Sequence, residues 1–125
     1  MPDSPIIAVM IHAADWRAAT HWYAQAFPQG RRVLHEPDDF GHLQLAGLSL
    51  EIVPCDAKVG QGPAGTVVYW QVADLPGQVQ RLTGLGGRLY RGPMVIEGGD
   101  SICQVQDPWG NCIGLRQPAR LGQAS

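Results

Sequence analysis

The sequence feature that most constrains the fold is a hairpin pattern that occurs twice along the chain. The stretch 107–116 begins with a turn in which Asp107 can hydrogen-bond its own backbone, a proline fixes φ and Gly110 permits a positive φ. The apolar residues after the turn predict a strand that returns beside the preceding one. An earlier stretch, 43–53, has the same layout, with Gly47 in the place of Gly110. The chain is therefore expected to contain two similar halves.

The order of predicted elements is also the same in both halves. Asp15 and Asp74 stand where helix N-caps are expected, each after an apolar strand and before apolar residues at helical spacing. Three further strands follow each helix, so each half reads β-α-β-β-β. The predicted strands are 6–11, 31–35, 40–45 and 48–53 in the first half and 66–72, 88–90, 101–106 and 111–116 in the second. Repeats of about 60 residues bury too little surface to be stable alone, so the halves should pack together.

These patterns give two modules, 6–54 and 66–116, joined by a flexible glycine-rich connector over 58–65. The polar residues 117–125 are expected to form a frayed tail. The turn at 36–39 separates two strands, and the histidines beside it, His35 and His42, are expected to be solvated.

Composition excludes several classes of function. The 125 residues are 45% hydrophobic and 16% charged, which is typical of a globular protein. A net charge of −2 without a basic run argues against nucleic-acid binding. No apolar segment is long enough for a membrane span, and the basic start of a signal peptide is missing, so a cytoplasmic protein is expected. The three cysteines are odd in number and lack metal-site spacing, which predicts reduced core thiols.

Two β-α-β-β-β modules, the second ending in 107–115, resemble the vicinal oxygen chelate superfamily. This superfamily includes glyoxalase I, extradiol dioxygenases and bleomycin-resistance proteins. Further matching stretches are His21–Tyr23 after Asp15, Leu50–Ile52 and Val72–Asp74. The resemblance covers residues 6–116. It implies an α+β fold in which two packed modules form a concave mixed sheet within a single domain, and it implies a homodimer.

The resemblance also implies where a metal would be held. In metal-dependent members, the first and last strands of each module carry one ligand each. The last-strand position of the first module falls on Glu51, and the other three positions fall on Ala8, Val68 and Gly114. These three side chains cannot bind a divalent ion, and protein metal sites need three or four ligands. No metal or other cofactor is therefore expected. The metal-dependent mechanisms of glyoxalase I and the extradiol dioxygenases are not expected here either.

Alternation along the strands predicts which side chains share a face with these positions. The side chains expected to line a ligand cavity are Met10, Ser49, Val68, Trp70, Cys112, Gly114 and Arg116. Glu51 and His12 are expected as a catalytic pair, because a carboxylate and an imidazole can relay protons near neutral pH. Other interpretations stay open: Glu51 could pair with Arg116 or Arg91, His12 could cap a strand end, and Trp70 could belong to the core.

The leading functional hypothesis is a metal-independent protein that binds a small organic ligand, similar to bleomycin-resistance-type members. The alternative is a lyase or isomerase of the glyoxalase kind that uses Glu51 and His12, with or without a relocated divalent metal. A third hypothesis is a structural or interaction role, with the cavity filled by core side chains. The sequence does not specify the ligand.

Overall fold

The computed structural model describes residues 5–119, and the chain divides after Gln61 into two compact units. Within the described residues, each unit contains four strands and one α-helix in the order β-α-β-β-β, so the predicted element order is confirmed and the fold is α+β. The first unit contains β1 (Ala8–His12), α1 (Trp16–Ala26), β2 (Arg31–His35), a short 3-10 turn (Glu36–Asp38), β3 (Phe40–Leu45) and β4 (Leu48–Val53). The second contains β5 (Val68–Gln71), α2 (Leu75–Gly84), β6 (Arg88–Val95), β7 (Ser101–Gln106) and β8 (Cys112–Gln117).

The largest difference from the predicted bounds lies at the end of the second unit. Strand β6 has eight residues where 88–90 were expected, because it continues past two register shifts against β7. Strand β8 extends through Gln117, whose Oε1 accepts a hydrogen bond of 2.6 Å from the backbone N–H of Leu75. The prediction of a frayed tail is therefore wrong at Gln117, and residues 120–125 lie outside the described part of the chain.

The two sheets have the same topology. The strand order is β1-β4-β3-β2 in the first and β5-β8-β7-β6 in the second. In each sheet the first strand of the unit runs parallel to the last, and the remaining pairs are antiparallel. Both sheets are therefore mixed, as predicted.

One face of each sheet is buried together with the helix of its unit. Both helices begin at the predicted N-caps: Asp15 accepts a hydrogen bond from the backbone N–H of Ala18, and Asp74 accepts one from that of Gly77, each at 3.1 Å. The fully or almost fully buried strand residues are Leu43, Leu50 and Ile52 in the first unit and Cys103, Val105, Ile113 and Leu115 in the second. The opposite faces of the sheets carry the polar side chains and hold the candidate sites.

Helix α1 approaches strand β3 at a glycine. A Cβ atom added to Gly41 would lie 2.3 Å from Oγ1 and 2.9 Å from Cγ2 of Thr20 on the helix. Thr20 is fully buried, and its hydroxyl donates a 2.7 Å hydrogen bond to the carbonyl of Trp16. Only a residue without a side chain fits at this crossing.

The two central residues of the glycine-rich connector, Gln61 and Gly62, form hydrogen bonds to other parts of the chain. Oε1 of Gln61 accepts a 2.8 Å hydrogen bond from the backbone N–H of Ala14, and the N–H of Gly62 donates a 2.8 Å hydrogen bond to Oδ1 of Asn111. Each bond lies within one unit, so the chain passes from one unit to the next between consecutive anchored residues. No helix within residues 5–119 has the length and apolar character needed to span a membrane.

Candidate functional site

A row of side chains crosses the open face of the first sheet. Met10 on β1 lies opposite Glu51 on β4, Glu51 lies opposite His42 on β3, and His42 lies opposite Val33 on β2. Cross-strand partners point to the same face, so these side chains are neighbours. Ser49 and His12, both predicted to line the cavity or act in catalysis, lie on this same face, one step to either side of the row.

Glu51 lies on an inner strand of its sheet and is partly buried. Within residues 5–119, no lysine or arginine forms an ion pair with it. Arg116, one of the structural partners considered from the sequence, instead binds Asp100 through a 2.8 Å contact between Nε and Oδ2. A partly buried carboxylate without an ion-pair partner has acceptor oxygens available for a ligand, which makes Glu51 a candidate for contact with one.

His42 is the polar neighbour of Glu51 that the sequence interpretation missed. Its Nδ1 lies 2.8 Å from Nε2 of His35, and the His35 ring stacks on Phe40 with 4.3 Å between ring centroids. Burial lowers the pKa of His42, the nearby His35 lowers it further, and Glu51 acts in the opposite direction. The expectation that both histidines are solvated is wrong, because both are partly buried and bonded to each other.

A signal for this arrangement was present in the sequence. The two-residue turn at Ala46 and Gly47 fixes the register of the hairpin, and counting outward from it brings His42 opposite Glu51. The φ of Gly47 is +72°, which a residue with a side chain seldom adopts.

His12 lies on the open face but pairs with Val53 and not with Glu51. Its charge contributes to a lowered pKa of Asp56. Hydrogen bonds from the backbone N–H groups of Val59 and Lys58 lower the pKa of Asp56, and His12 adds a smaller effect in the same direction. His42 therefore occupies the position directly across from Glu51 that a proton relay needs, and His12 is one register step away on β1.

The open face of the second sheet differs from the sequence prediction at β5. Val68 and Trp70 lie opposite Ile113 and Leu115, which are buried on the core side, so their predicted place beside Gly114 is wrong. Tyr69 is the residue opposite Gly114. A slip of one residue moves every side chain of a strand to the other face. The spacing between Asp15 and Asp74, counted forward from Met10, gives Tyr69. The internal repeat therefore indicates that Tyr69 occupies the position on β5 that Met10 occupies on β1.

Tyr69 covers the position of Gly114. A Cβ atom added to Gly114 would lie between 2.5 and 2.8 Å from three ring carbons of Tyr69. The Tyr69 hydroxyl accepts a 2.9 Å hydrogen bond from Nε2 of Gln104, two strands away from β5. Gly114 was expected to line a ligand cavity, but the Tyr69 ring fills the space over it.

A pocket of about 220 Å³ lies beside this ring. Its lining consists of Tyr69, Arg91, Gly92, Met94, Ile102, Cys103 and Gln104, all from the second unit. Gln104 lies opposite both Gly114 and Arg91, so Arg91, Gln104, Gly114 and Tyr69 form a row across four strands. This row corresponds to Val33, His42, Glu51 and Met10 in the first unit.

The cysteines offer no nucleophile on these faces. Cys112 lies on the open face of β8, where burial raises its pKa and Asp107 raises it further, although Arg91 acts in the opposite direction. Burial also raises the pKa of Cys103. Both groups are therefore protonated at neutral pH, and the thiolate is the reactive form.

Comparison with known proteins identifies the fold. No family model and no curated protein matches the sequence. A glyoxalase/bleomycin resistance protein/dioxygenase family enzyme from Burkholderia phytofirmans PsJN has a similar structure, with a TM-score of 0.75 and 15% identity over 88% of this chain and 95% of that one. The chain has the vicinal oxygen chelate fold. A glyoxalase-related enzyme from Fulvimarina pelagi (TM-score 0.73, 19% identity, 91% and 88% covered) and a lactoylglutathione lyase from Agrobacterium tumefaciens (TM-score 0.68, 19% identity, 98% and 100% covered) are also similar.

The residues of this chain do not fit the metal centre of metal-dependent proteins with the vicinal oxygen chelate fold. Of the four ligand positions implied by the resemblance, only Glu51 carries a ligand atom. Val68 lies on the core side of its sheet, and the Tyr69 ring lies over Gly114. Within residues 5–119, no three His, Cys, Asp or Glu side chains are grouped closely enough to hold a metal ion.

Proposed function

We propose that the protein binds a small organic molecule on the open faces of its sheets, without a metal cofactor. The observation that carries this proposal is Glu51, a partly buried carboxylate on an inner strand that forms no ion pair within residues 5–119. Met10 lies on one side of it and His42 on the other. A carboxylate next to an exposed apolar side chain suits a ligand with a hydrogen-bond donor and an apolar body.

A second candidate is acid–base catalysis of the lyase or isomerase kind. His42 favours it, because an imidazole with a lowered pKa is neutral at pH 7 and lies in register with a carboxylate that can assist proton transfer. In this version Glu51 and His42 are the central pair, and His12 is a further proton donor or acceptor on the same face. The ring contact with His35 would orient His42.

Replacing Glu51 by glutamine tests both candidates, because the amide keeps the size of the side chain and removes its charge. Ligands found in a thermal-shift screen of the wild-type protein should bind Glu51→Gln about tenfold to hundredfold more weakly, as expected when a charge-assisted hydrogen bond is lost. Glu97→Gln, at an exposed position in the second unit, is the matched control and should bind normally.

Three outcomes would contradict these proposals. Equal affinity of the wild type and Glu51→Gln for every ligand found would remove Glu51 from the site. Full turnover by Glu51→Gln, for any substrate of the wild type, would exclude the catalytic candidate. Near-stoichiometric zinc, nickel, manganese or iron, retained after desalting and detected by elemental mass spectrometry, would contradict the metal-free assignment.

The homodimer and the cytoplasmic location expected from the sequence are part of the same proposal. The exposed apolar side chains of Leu89, Tyr90 and Val95 on β6, an edge strand, suit a protein interface, and the three free cysteines suit a reducing compartment. We expect the molar mass from light scattering at micromolar concentration to be twice that of the chain. A monomer in that measurement would contradict the dimer, and recovery outside the cytoplasmic fraction would contradict the location.

A further inference from the structure

We propose that the pocket on the second sheet binds a small organic carboxylate, with Arg91 and Tyr69 holding the carboxylate group and Met94 and Ile102 contacting the apolar body. This inference rests on the proposed function and deepens it, because it names the class of ligand for one of the two open faces. Every residue of the proposed site belongs to the second unit.

The geometry of the site depends on the row across the sheet. Neighbouring strands lie about 4.8 Å apart, so a tyrosine on the edge strand β5 can reach β7 only by crossing β8. Gly114 is the residue of β8 at that crossing, and it has no side chain to block the ring. The glycine therefore places the Tyr69 hydroxyl beside Gln104, next to the strand that carries Arg91.

The hydrogen bond from Gln104 determines what the Tyr69 hydroxyl can offer a ligand. The Gln104 amide donates and the Tyr69 oxygen accepts, at 2.9 Å. The proton of the hydroxyl is not used in this bond and is available to an acceptor in the pocket. Tyr69 is thus a positioned hydrogen-bond donor at the pocket wall.

Arg91 supplies the charge. Within residues 5–119, Arg17 and Arg116 form ion pairs with carboxylates of this chain, whereas Arg91 forms none. Its positive charge reaches the open face of β8, where it acts against the rise in the pKa of Cys112. A guanidinium group presents its N–H donors in a planar fork that matches the two oxygens of a carboxylate. The other lining residues are neutral, so an anionic ligand would balance the charge of the pocket.

The size of the pocket limits the ligand. A volume of about 220 Å³ is below the roughly 300–1,000 Å³ of pockets that enclose drug-sized molecules. Met94 and Ile102 give the pocket apolar walls on two neighbouring strands. A carboxylate attached to a single ring or to a short branched chain fits this volume and these walls.

The test uses the full-length protein and follows backbone amide resonances by NMR during titration with benzoate, phenylacetate and isobutyrate. Benzamide and benzyl alcohol are uncharged controls of similar shape, and inorganic phosphate is a control for anion binding alone. The variants are Arg91→Gln, Tyr69→Phe and, as a control with the same change of charge, Arg88→Gln. Arg88 lies on β6, donates to Gln106 at 3.2 Å and is not part of the pocket lining.

We expect benzoate or another carboxylate of the panel to shift the resonances of Tyr69, Gln104 and Met94, and its uncharged counterparts to bind much more weakly. Arg91→Gln should weaken binding about tenfold to hundredfold, and Tyr69→Phe about tenfold, since each removes a hydrogen bond to a charged group. Arg88→Gln should stay within about twofold of the wild type. Tyr69→Phe keeps the ring over Gly114, so its spectrum also checks that the fold is intact.

The inference is overturned if no carboxylate of the panel shifts these resonances at millimolar concentration, or if Arg91→Gln binds as tightly as the wild type. Binding of phosphate without binding of any carboxylate would also overturn it, because the apolar walls would then contribute nothing. Glu51→Gln separates this inference from the proposed function. If Glu51→Gln weakens the binding of other ligands while no carboxylate of the panel binds the wild type, the proposed function stands. Only the carboxylate site on the second sheet is then overturned.

Discussion

Replacing Asp107 by alanine is expected to lower the free energy of unfolding by about 3 kcal/mol, measured by urea denaturation. Asp107 is only 3% exposed, and its Oδ1 accepts hydrogen bonds from the backbone N–H groups of Trp109 at 2.9 Å and of Asn111 at 2.8 Å. Its Oδ2 accepts a third, at 3.2 Å, from the side-chain amide of Asn111. Alanine would leave all three donors without this acceptor in a turn that water reaches poorly.

The loss should also be visible at the connector. Asn111 is held by Asp107, and its Oδ1 accepts the N–H of Gly62. Hydrogen exchange of the Gly62 amide should therefore be faster in Asp107→Ala than in the wild type. Asp107→Asn, which keeps one acceptor oxygen, should lose less stability. Asp38→Ala removes an exposed carboxylate and should stay within about 0.5 kcal/mol of the wild type. An Asp107→Ala protein with the urea midpoint of the wild type would refute this account of the turn.

Replacing Gly41 by valine is expected to cost about 3 kcal/mol of stability, near the upper end for overpacked cores. The added Cβ would lie 2.3 Å from Oγ1 of Thr20, and Thr20 cannot move away easily because it is fully buried and hydrogen-bonded to Trp16. Relief would require α1 to move away from β3, which would open the core of the first unit. Thermal unfolding followed by circular dichroism measures the effect.

Two controls separate this clash from the general effect of replacing a glycine. Gly84 at the end of α2 has no atom within 4 Å of an added Cβ, so Gly84→Ala should be neutral or should stabilise by up to about 1 kcal/mol. The double change Gly41→Ala with Thr20→Ala removes the two closest atoms and leaves Cβ of Thr20 at 3.0 Å. Its stability should therefore exceed the value expected from adding the two single effects. Strict additivity would show that the two residues do not interact.

Local signals in the sequence were sufficient for the elements and their order. Asp15 and Asp74 cap the two helices as their types and positions predicted, and the strands β2, β3, β4 and β7 have the predicted bounds. These features depend on neighbouring residues along the chain, which the sequence displays directly. The predicted length of β6 was too short because a glycine and a proline interrupt its apolar pattern. In the structure, β6 stays paired with β7 on both sides of these two residues.

The candidate sites were only partly predictable, because they depend on pairs of strands. The sequence predicted that Met10, Ser49 and Glu51 share one face of the sheet, because side chains alternate between the two faces along a strand. The pairing of His42 with Glu51 needed the register of the hairpin, and the place of Tyr69 needed the register of the internal repeat. The position of the Tyr69 ring over Gly114 depends on the rotamer of Tyr69 and on the pairing of β5 with β8. No local sequence pattern indicates either of them.

The matching rows on the two sheets show that one strand pattern can carry two different sets of side chains. At equivalent positions the first unit has a carboxylate beside an imidazole, and the second has a glycine beneath an aromatic ring. Each row lies on its own four-stranded sheet and is positioned by strand pairs of its own unit. One strand pattern therefore supports two rows of different chemistry in one short chain, and the side chains of each row can be substituted without changing the pattern itself.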